Sequence, residues 1–290
     1  MIDEMSISSY LYRKAAKTGI PLGCTFELTP MCNMSCRMCY VRMNAQQVKR
    51  AGGLKDAEWW ITLAEKAKAA GTVYILITGG EPFTHPQFRE IYTALSKMGF
   101  IISINTNGTL IDDRAVGWLR EIPPARFNIT LYGASEETYE NLCGDGSFYN
   151  KAVGAIDRIL AAGMQIRLNA SFTKLNVRDK EEIYEFAKKR NLPVATGSYM
   201  FPPARRLLKD GEEFPRLDAC DAGRLIFEKE LRSSGDEAAL RRAKGLKETI
   251  DDDVLPVGLG GKPRNVCSDE GDATKCRAGR VTFWVSYNGK

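Results

Sequence analysis

Histidine is nearly absent: the 290 residues carry one, His85, against eight cysteines. Metal sites built from histidine pairs are thereby excluded, and thiols are the soft ligands that remain. No apolar run is long enough to span a bilayer, and Met1 to Tyr10 is polar and acidic, unlike a signal peptide. Without an export signal the cysteines read as reduced thiols and metal ligands, not as a disulfide framework, and a cytoplasmic location is expected. No internal repeat or low-complexity tract interrupts the chain. A dominant charge sign is also missing, since 41 basic residues stand against 36 acidic ones for a net charge of +5. The run Arg241-Arg242-Ala243-Lys244 reads as a solvated face, and no basic strip interleaved with aromatics marks a nucleic-acid modifier. Neither a nucleic acid nor a membrane is an expected partner.

What the chain does have is a stretch that organises the rest, Thr29-Pro30-Met31-Cys32-Asn33-Met34-Ser35-Cys36-Arg37-Met38-Cys39-Tyr40. Three thiols fall within eight residues, directly after an apolar segment that reads as a strand, Cys24–Leu28. Such clustering lets three thiolates share one centre while only a short loop is ordered. Zinc and iron–sulfur clusters both suit thiolates, but structural zinc wants four closed ligands and the local count here is three. A cubane cluster held by three cysteines leaves one iron open for another ligand. The duller reading is a zinc-stapled binding protein.

Cys32, Cys36 and Cys39, followed by the aromatic Tyr40, resemble the signature of the radical S-adenosylmethionine (radical SAM) superfamily. The resemblance implies that these cysteines hold a 4Fe–4S cluster. Its open iron would bind the amino and carboxylate groups of SAM, and an electron would release a 5′-deoxyadenosyl radical. An electron donor of flavodoxin or ferredoxin type is implied with it.

From Leu22 to Pro202 strand and helix patterns alternate. Strands are expected at Cys24–Leu28, Val73–Thr78, Phe100–Asn105, Arg126–Leu131, Gln165–Phe172 and Val194–Phe201. Helices are expected near Leu54–Ala70, Pro86–Met98, Asp112–Arg120, Tyr149–Ala162 and Arg178–Arg190. Gly71 and Gly163 read as helix stops, Asp112 and Ser135 as N-caps. The alternation predicts an α/β fold, either a barrel or a doubly wound sheet. The resemblance selects a partial (β/α)6 TIM-like barrel with its active site at the carboxyl ends of the strands. The expected organisation is a lead-in over 1–20, the barrel over 21–202, a mainly helical segment over 203–265 and a further piece over 266–290.

Strand ends then carry the candidates. Thr78-Gly79-Gly80-Glu81-Pro82 allows close backbone approach, and its carboxylate could meet an ammonium group. It also resembles the family's Gly-Gly-Glu-Pro motif, which implies that Gly79, Gly80 and Glu81 orient the methionine part of SAM. Thr106 and Asn107 lie past the third strand, Thr130 at the end of the fourth; all three are expected near SAM or substrate. On the fifth strand Asn169 and Ser171 share one face with Arg167, and polar residues within an apolar strand need partners. Asn169 resembles a position that contacts the SAM ribose. His85 reads as a loop residue, Cys143 has no assigned role, and Cys24 and Cys220 read as apolar filler.

The tail holds Cys267 and Cys276, then a strand over Val281–Tyr287 and Asn288-Gly289-Lys290. It resembles the opening of a SPASM or twitch extension, which implies an auxiliary 4Fe–4S cluster in a longer protein of which this chain is a truncated part. Relatives with that extension mostly modify ribosomal peptides or proteins by cross-linking, thioether formation or epimerisation. A peptide or protein substrate is therefore expected, with a separate leader-peptide-binding protein as a further partner. The alternative within the same chemistry is a small molecule, such as a haem precursor or another cofactor.

Overall fold

The computed structural model describes residues 7–205, 213–234 and 281–290. Among these residues one sheet is built from β1 (Gly23–Thr29), β2 (Tyr74–Gly79), β3 (Ile101–Thr106), β4 (Arg126–Thr130), β5 (Ile166–Ser171), β6 (Val194–Gly197) and β7 (Thr282–Val285). The order is β6-β5-β4-β3-β2-β1-β7, and every pairing is parallel. Helices α1 (Ile7–Thr18), α2 (Ala45–Arg50), α3 (Ala57–Ala69), α4 (Phe88–Lys97) and α5 (Asp113–Glu121) accompany the first half. In the second half follow α6 (Glu136–Cys143), α7 (Phe148–Ala161), α8 (Lys180–Lys189) and α9 (Ala219–Ser234).

This is the α/β fold that the alternating pattern predicts, in the partial-barrel form that the resemblance selects, and the physical cause is visible strand by strand. Phe26 and Leu28 of β1, Ile77 of β2, Ile104 of β3, Phe127 and Ile129 of β4 and Leu168 of β5 are completely buried. They alternate with residues of the opposite face, as the two-residue period of a strand requires. Trp60 of α3, Ile91 and Tyr92 of α4, Leu119 of α5 and Ile156 and Ile159 of α7 are equally buried. Phe26 and Trp60 meet with ring centroids 5.1 Å apart, which fixes α3 on the back of β1. The opposite face of the strands is polar, and that face carries the sites.

The expected caps are present. Asp112 accepts from Ala115 N at 2.8 Å and Ser135 from Thr138 N at 3.2 Å, while Gly71 and Gly163 leave their helices at φ +98° and +74°. Two short helices were not delimited in the sequence reading, although the cap of the second, Ser135, was. α2 carries a full capping box between Asn44 and Gln47, and α6 places Tyr139, Leu142 and Cys143 on one buried face.

The sixth strand was expected to run to Phe201 but stops at Gly197. Beyond it Tyr199 and Phe201 are mostly exposed and meet each other edge-on, so apolar character there does not mean sheet pairing. The terminal strand is shorter than Val281–Tyr287 and joins the barrel sheet as β7, beside β1 in the register Gly23↔Thr282. The chain divides into two compact units, Met1–Leu217 with Arg277–Lys290, and Asp218–Cys276. Of the second, α9 is described, its start capped by Asp218, which accepts from Asp221 N at 2.8 Å. The later part of the mainly helical segment expected over 203–265, from residue 235, the Arg241–Lys244 run and both Cys267 and Cys276 lie outside the described residues.

Candidate active site

The carboxyl ends of the strands open on a cavity of about 420 Å³. Its wall is the loop between β1 and α2, an irregular segment whose backbone groups need partners from elsewhere. Several come from α6. Ser35 N donates to Cys143 O at 3.1 Å and Arg37 N to Leu142 O at 2.9 Å, so the loop satisfies carbonyls that a helix end otherwise leaves open. Gly144 turns the chain away in a left-handed conformation, φ +87°. Buried Met34 and Met38 anchor the loop from below.

Cys32, Cys36 and Cys39 all line this cavity and are half-buried, free thiols. Met34 N donates to Cys32 Sγ at 3.3 Å and Asn107 Nδ2 to the same sulfur at 3.7 Å. Burial pushes the Cys32 thiol up to about 12 and raises Cys39 as well. Cys36 is raised well above its ordinary value by a hydrogen bond shared with Cys143, and then by burial; the Tyr132 hydroxyl opposes this by donating to its sulfur. The bare thiols thus hold their protons at neutral pH, and metal binding must displace them. Among the described residues, no three side chains of the His, Cys, Asp and Glu type converge to hold a single ion. Three thiols lining one cavity suit a cluster with one thiolate per iron, whereas structural zinc wants four ligands.

Gly79 and Gly80 also line the cavity, and the structure gives their absent side chains a reason. A Cβ on Gly79 would stand 2.3 Å from Thr29 O, and one on Gly80 2.3 Å from Met31 O. The two segments are stitched there by Gly80 N donating to Thr29 O at 2.6 Å and Glu81 N to Met31 O at 2.8 Å. The requirement is close approach, not an unusual backbone angle.

Glu81 departs from the expected ammonium partner. Its carboxylate is fully buried, lies outside the cavity wall, and accepts from Thr106 Oγ1 at 2.8 Å, Asn107 N at 2.7 Å and Phe83 N at 3.2 Å. It fastens the end of β3 to the Gly-Gly turn. Burial raises its pKa from 4.5 to about 7, against the pull of those three donors. A carboxyl raised in the folded state stabilises fully below its unfolded pKa, and that contribution fades as pH rises towards the folded value. The stability of the protein relative to Glu81→Gln is therefore expected to fall by about 3 kcal/mol between pH 4.5 and 7, then level off. Urea unfolding of both proteins across that range tests this; a pH-independent difference would refute it.

Thr106 and Asn107 line the cavity but spend most of their bonding on the protein. Thr106 Oγ1 accepts from Gly108 N, while Asn107 Nδ2 donates to Asn33 Oδ1 at 3.0 Å, tying the β3 end to the cysteine loop. Tyr40, Thr130, Asn169 and Ser171 line the same cavity, and Thr130 faces Asn169 across the β4–β5 register. The sequence reading missed Tyr132 as a partner of Cys36, although Tyr132 lies two residues beyond Thr130 on the same face. It also left Cys143 without a role; the signal was helical spacing in α6, which brings that thiol to Cys36. His85 sits away from this wall, its Nε2 at 3.0 Å from Lys55 O and its Nδ1 accepting from Gln87 N, a structural pairing. Cys24 is buried apolar filling on β1, as expected, while Cys220 is exposed.

Beyond β6, Arg205 reaches Glu27, which is buried on β1, through a two-toothed ion pair that includes Nη2 to Oε2 at 2.8 Å. The guanidinium also lies 5.2 Å from the centre of the Tyr287 ring, and Ala204 N donates to Tyr40 O. The segment after the sixth strand is thereby fastened to the first strand, the cysteine loop and the chain after β7.

Residues 26–201 match the family model described as the Radical SAM superfamily. The AdoMet-dependent heme synthase of Methanosarcina barkeri is 26% identical over 211 residues, 73% of this chain and 58% of that protein. The sporulation killing factor maturation protein SkfB of Bacillus subtilis is 24% identical over 166 residues, 57% of this chain and 39% of that protein. Among solved structures, Streptococcus suis SuiB superimposes with a TM-score of 0.62 at 18% identity, covering 79% of this chain and 51% of that one, a likeness of fold. The chain spans from about two-fifths to three-fifths of the length of these curated relatives.

Proposed function

Because this chain belongs to the radical SAM superfamily, whose members use a 4Fe–4S cluster and SAM, we propose that it cleaves SAM reductively to abstract hydrogen from a peptide or protein. One observation carries the reading. Cys32, Cys36 and Cys39 line a cavity at the strand ends together with the Gly79–Gly80 turn, which is stitched to the start of the cysteine loop. The three thiolates hold the cluster, which when bound supplies an open iron and passes on one electron from a flavodoxin- or ferredoxin-like donor. Backbone groups of the Gly-Gly turn align the methionine portion, while Thr130, Asn169 and Ser171 offer polar side chains to the nucleoside. With cluster and SAM bound at these residues, the chemistry supplied would be reductive cleavage of the sulfur–C5′ bond, releasing methionine and a 5′-deoxyadenosyl radical that would take a hydrogen atom from substrate. Walls that shield the radical from solvent keep it for that substrate.

SkfB, whose name describes a maturation protein, supports the peptide reading. A small-molecule substrate is the second reading, supported by the heme synthase match over nearly three-quarters of the chain. Electron paramagnetic resonance of anaerobically reconstituted, reduced protein should show a cluster signal that shifts when SAM is added. A zinc-loaded, silent sample would reject the reading, and an iron signal indifferent to SAM would reject the open coordination site. Incubation with short peptides or with porphyrin precursors, scored by 5′-deoxyadenosine release, separates the two substrate classes.

A further inference from the structure

A second cavity, of about 360 Å³, lies at the amino ends of the strands, opposite the mouth. Two guanidiniums line it: Arg126 at the start of β4 and Arg167 on β5. They lie on one face two residues apart in register, since Arg167 faces Asn128 and Arg126 precedes Asn128 by two. Arg126 Nε donates to Asn128 Oδ1 at 3.0 Å, and Asn128 Nδ2 passes the polarity on to Asn105 Oδ1 at 2.8 Å. Arg167 Nε is buried without any hydrogen-bond partner. Among the described residues neither arginine pairs with a carboxylate.

This arrangement is costly as it stands. A buried guanidinium N–H without an acceptor forfeits its hydration, and two like charges on neighbouring strands repel. Burial, and then the charge of Arg126, lowers the pKa of Arg167, in keeping with an environment short of negative charge. Ser103 and Thr25 add hydroxyl groups to the same wall, so the floor offers donors of the kind that oxyanions take. We propose that this floor is a binding site for a small oxyanion, phosphate or carboxylate, clasped between Arg126 and Arg167.

Calorimetric titration and thermal unfolding of the whole chain test this, using inorganic phosphate, acetate, and sodium chloride at matched ionic strength. Saturable heat and a rise in Tm with phosphate or acetate, absent with chloride, are expected, and the anion that saturates identifies the ligand class. Arg167→Met should weaken that binding at least tenfold, and by removing a half-buried charge whose Nε lacks a hydrogen-bond partner should raise the Tm of the anion-free protein. Arg126→Met should weaken it similarly, which guards against one variant misfolding. Equal responses to all three salts, or binding undiminished in both variants, would overturn the proposal. No saturable response in the wild-type protein would overturn it as well.

Discussion

Cys32→Ala, Cys36→Ala and Cys39→Ala, alone or combined, are expected to abolish both iron retention and formation of 5′-deoxyadenosine. Each thiolate is one of three donors, and a cubane deprived of any one has a second exposed corner. Loss should be to the detection limit, because these three thiolates are the cluster donors that line the cavity. Circular dichroism should be nearly unchanged, since the loop is held by backbone bonds to α6 and by Met34 and Met38, none of which involves these sulfurs as the main anchor. Iron quantitation after anaerobic reconstitution, with product chromatography, is the measurement. Cleavage surviving in the triple variant would remove the cysteine loop from the chemistry.

The second large effect needs only one carbon atom. Gly80→Ala puts a methyl group 2.3 Å from Met31 O and 2.7 Å from Pro30 O, both backbone atoms that no rotamer change can move aside. The turn and the cysteine loop must separate, and the bonds from Gly80 N and Glu81 N must stretch or break. A shift of about 1 Å in a reacting geometry costs on the order of 100-fold in rate. SAM cleavage should fall by at least that factor even where iron still loads. Gly117→Ala is the matching control: it lies in α5 with no atom within 4 Å of the new carbon, and should keep full activity. Equal rates for the two variants would show that the close approach is dispensable.

Much of this molecule was legible from residue order because its determinants are local. Strands show as apolar segments, helices as capped runs, and Asp112 and Ser135 act as the caps that their side chains predict. The cysteine loop and the Gly-Gly turn could be placed at strand ends from spacing alone. Long-range partners were hidden. Helical spacing puts Cys143 on the buried face of α6, but its meeting with Cys36 depends on where α6 ends relative to the loop. Glu81 looked like a ligand contact, since exposure cannot be read from a motif; burial and three donors convert it into a brace. Arg167 was noticed only as sharing a face with Asn169, and its lack of an acceptor emerges from the packing of β4 against β5. The sixth strand was overdrawn because exposed aromatics at Tyr199 and Phe201 mimic the composition of a strand.

The contact between the cysteine loop and α6 sets a timetable for synthesis. Carbonyls of Leu142 and Cys143 receive the amides of Arg37 and Ser35, so the loop has no complete set of partners until more than one hundred later residues have been made. Asn107, which steadies Cys32 and Asn33, arrives about two-thirds of the way through that wait. On the ribosome the three thiols leave the tunnel early and wait as a pliant, unpaired segment. Delivery of iron and sulfide into a finished wall is thus a late step, following emergence of the first half of the chain, and a nascent chain arrested before residue 143 should fail to retain the cluster.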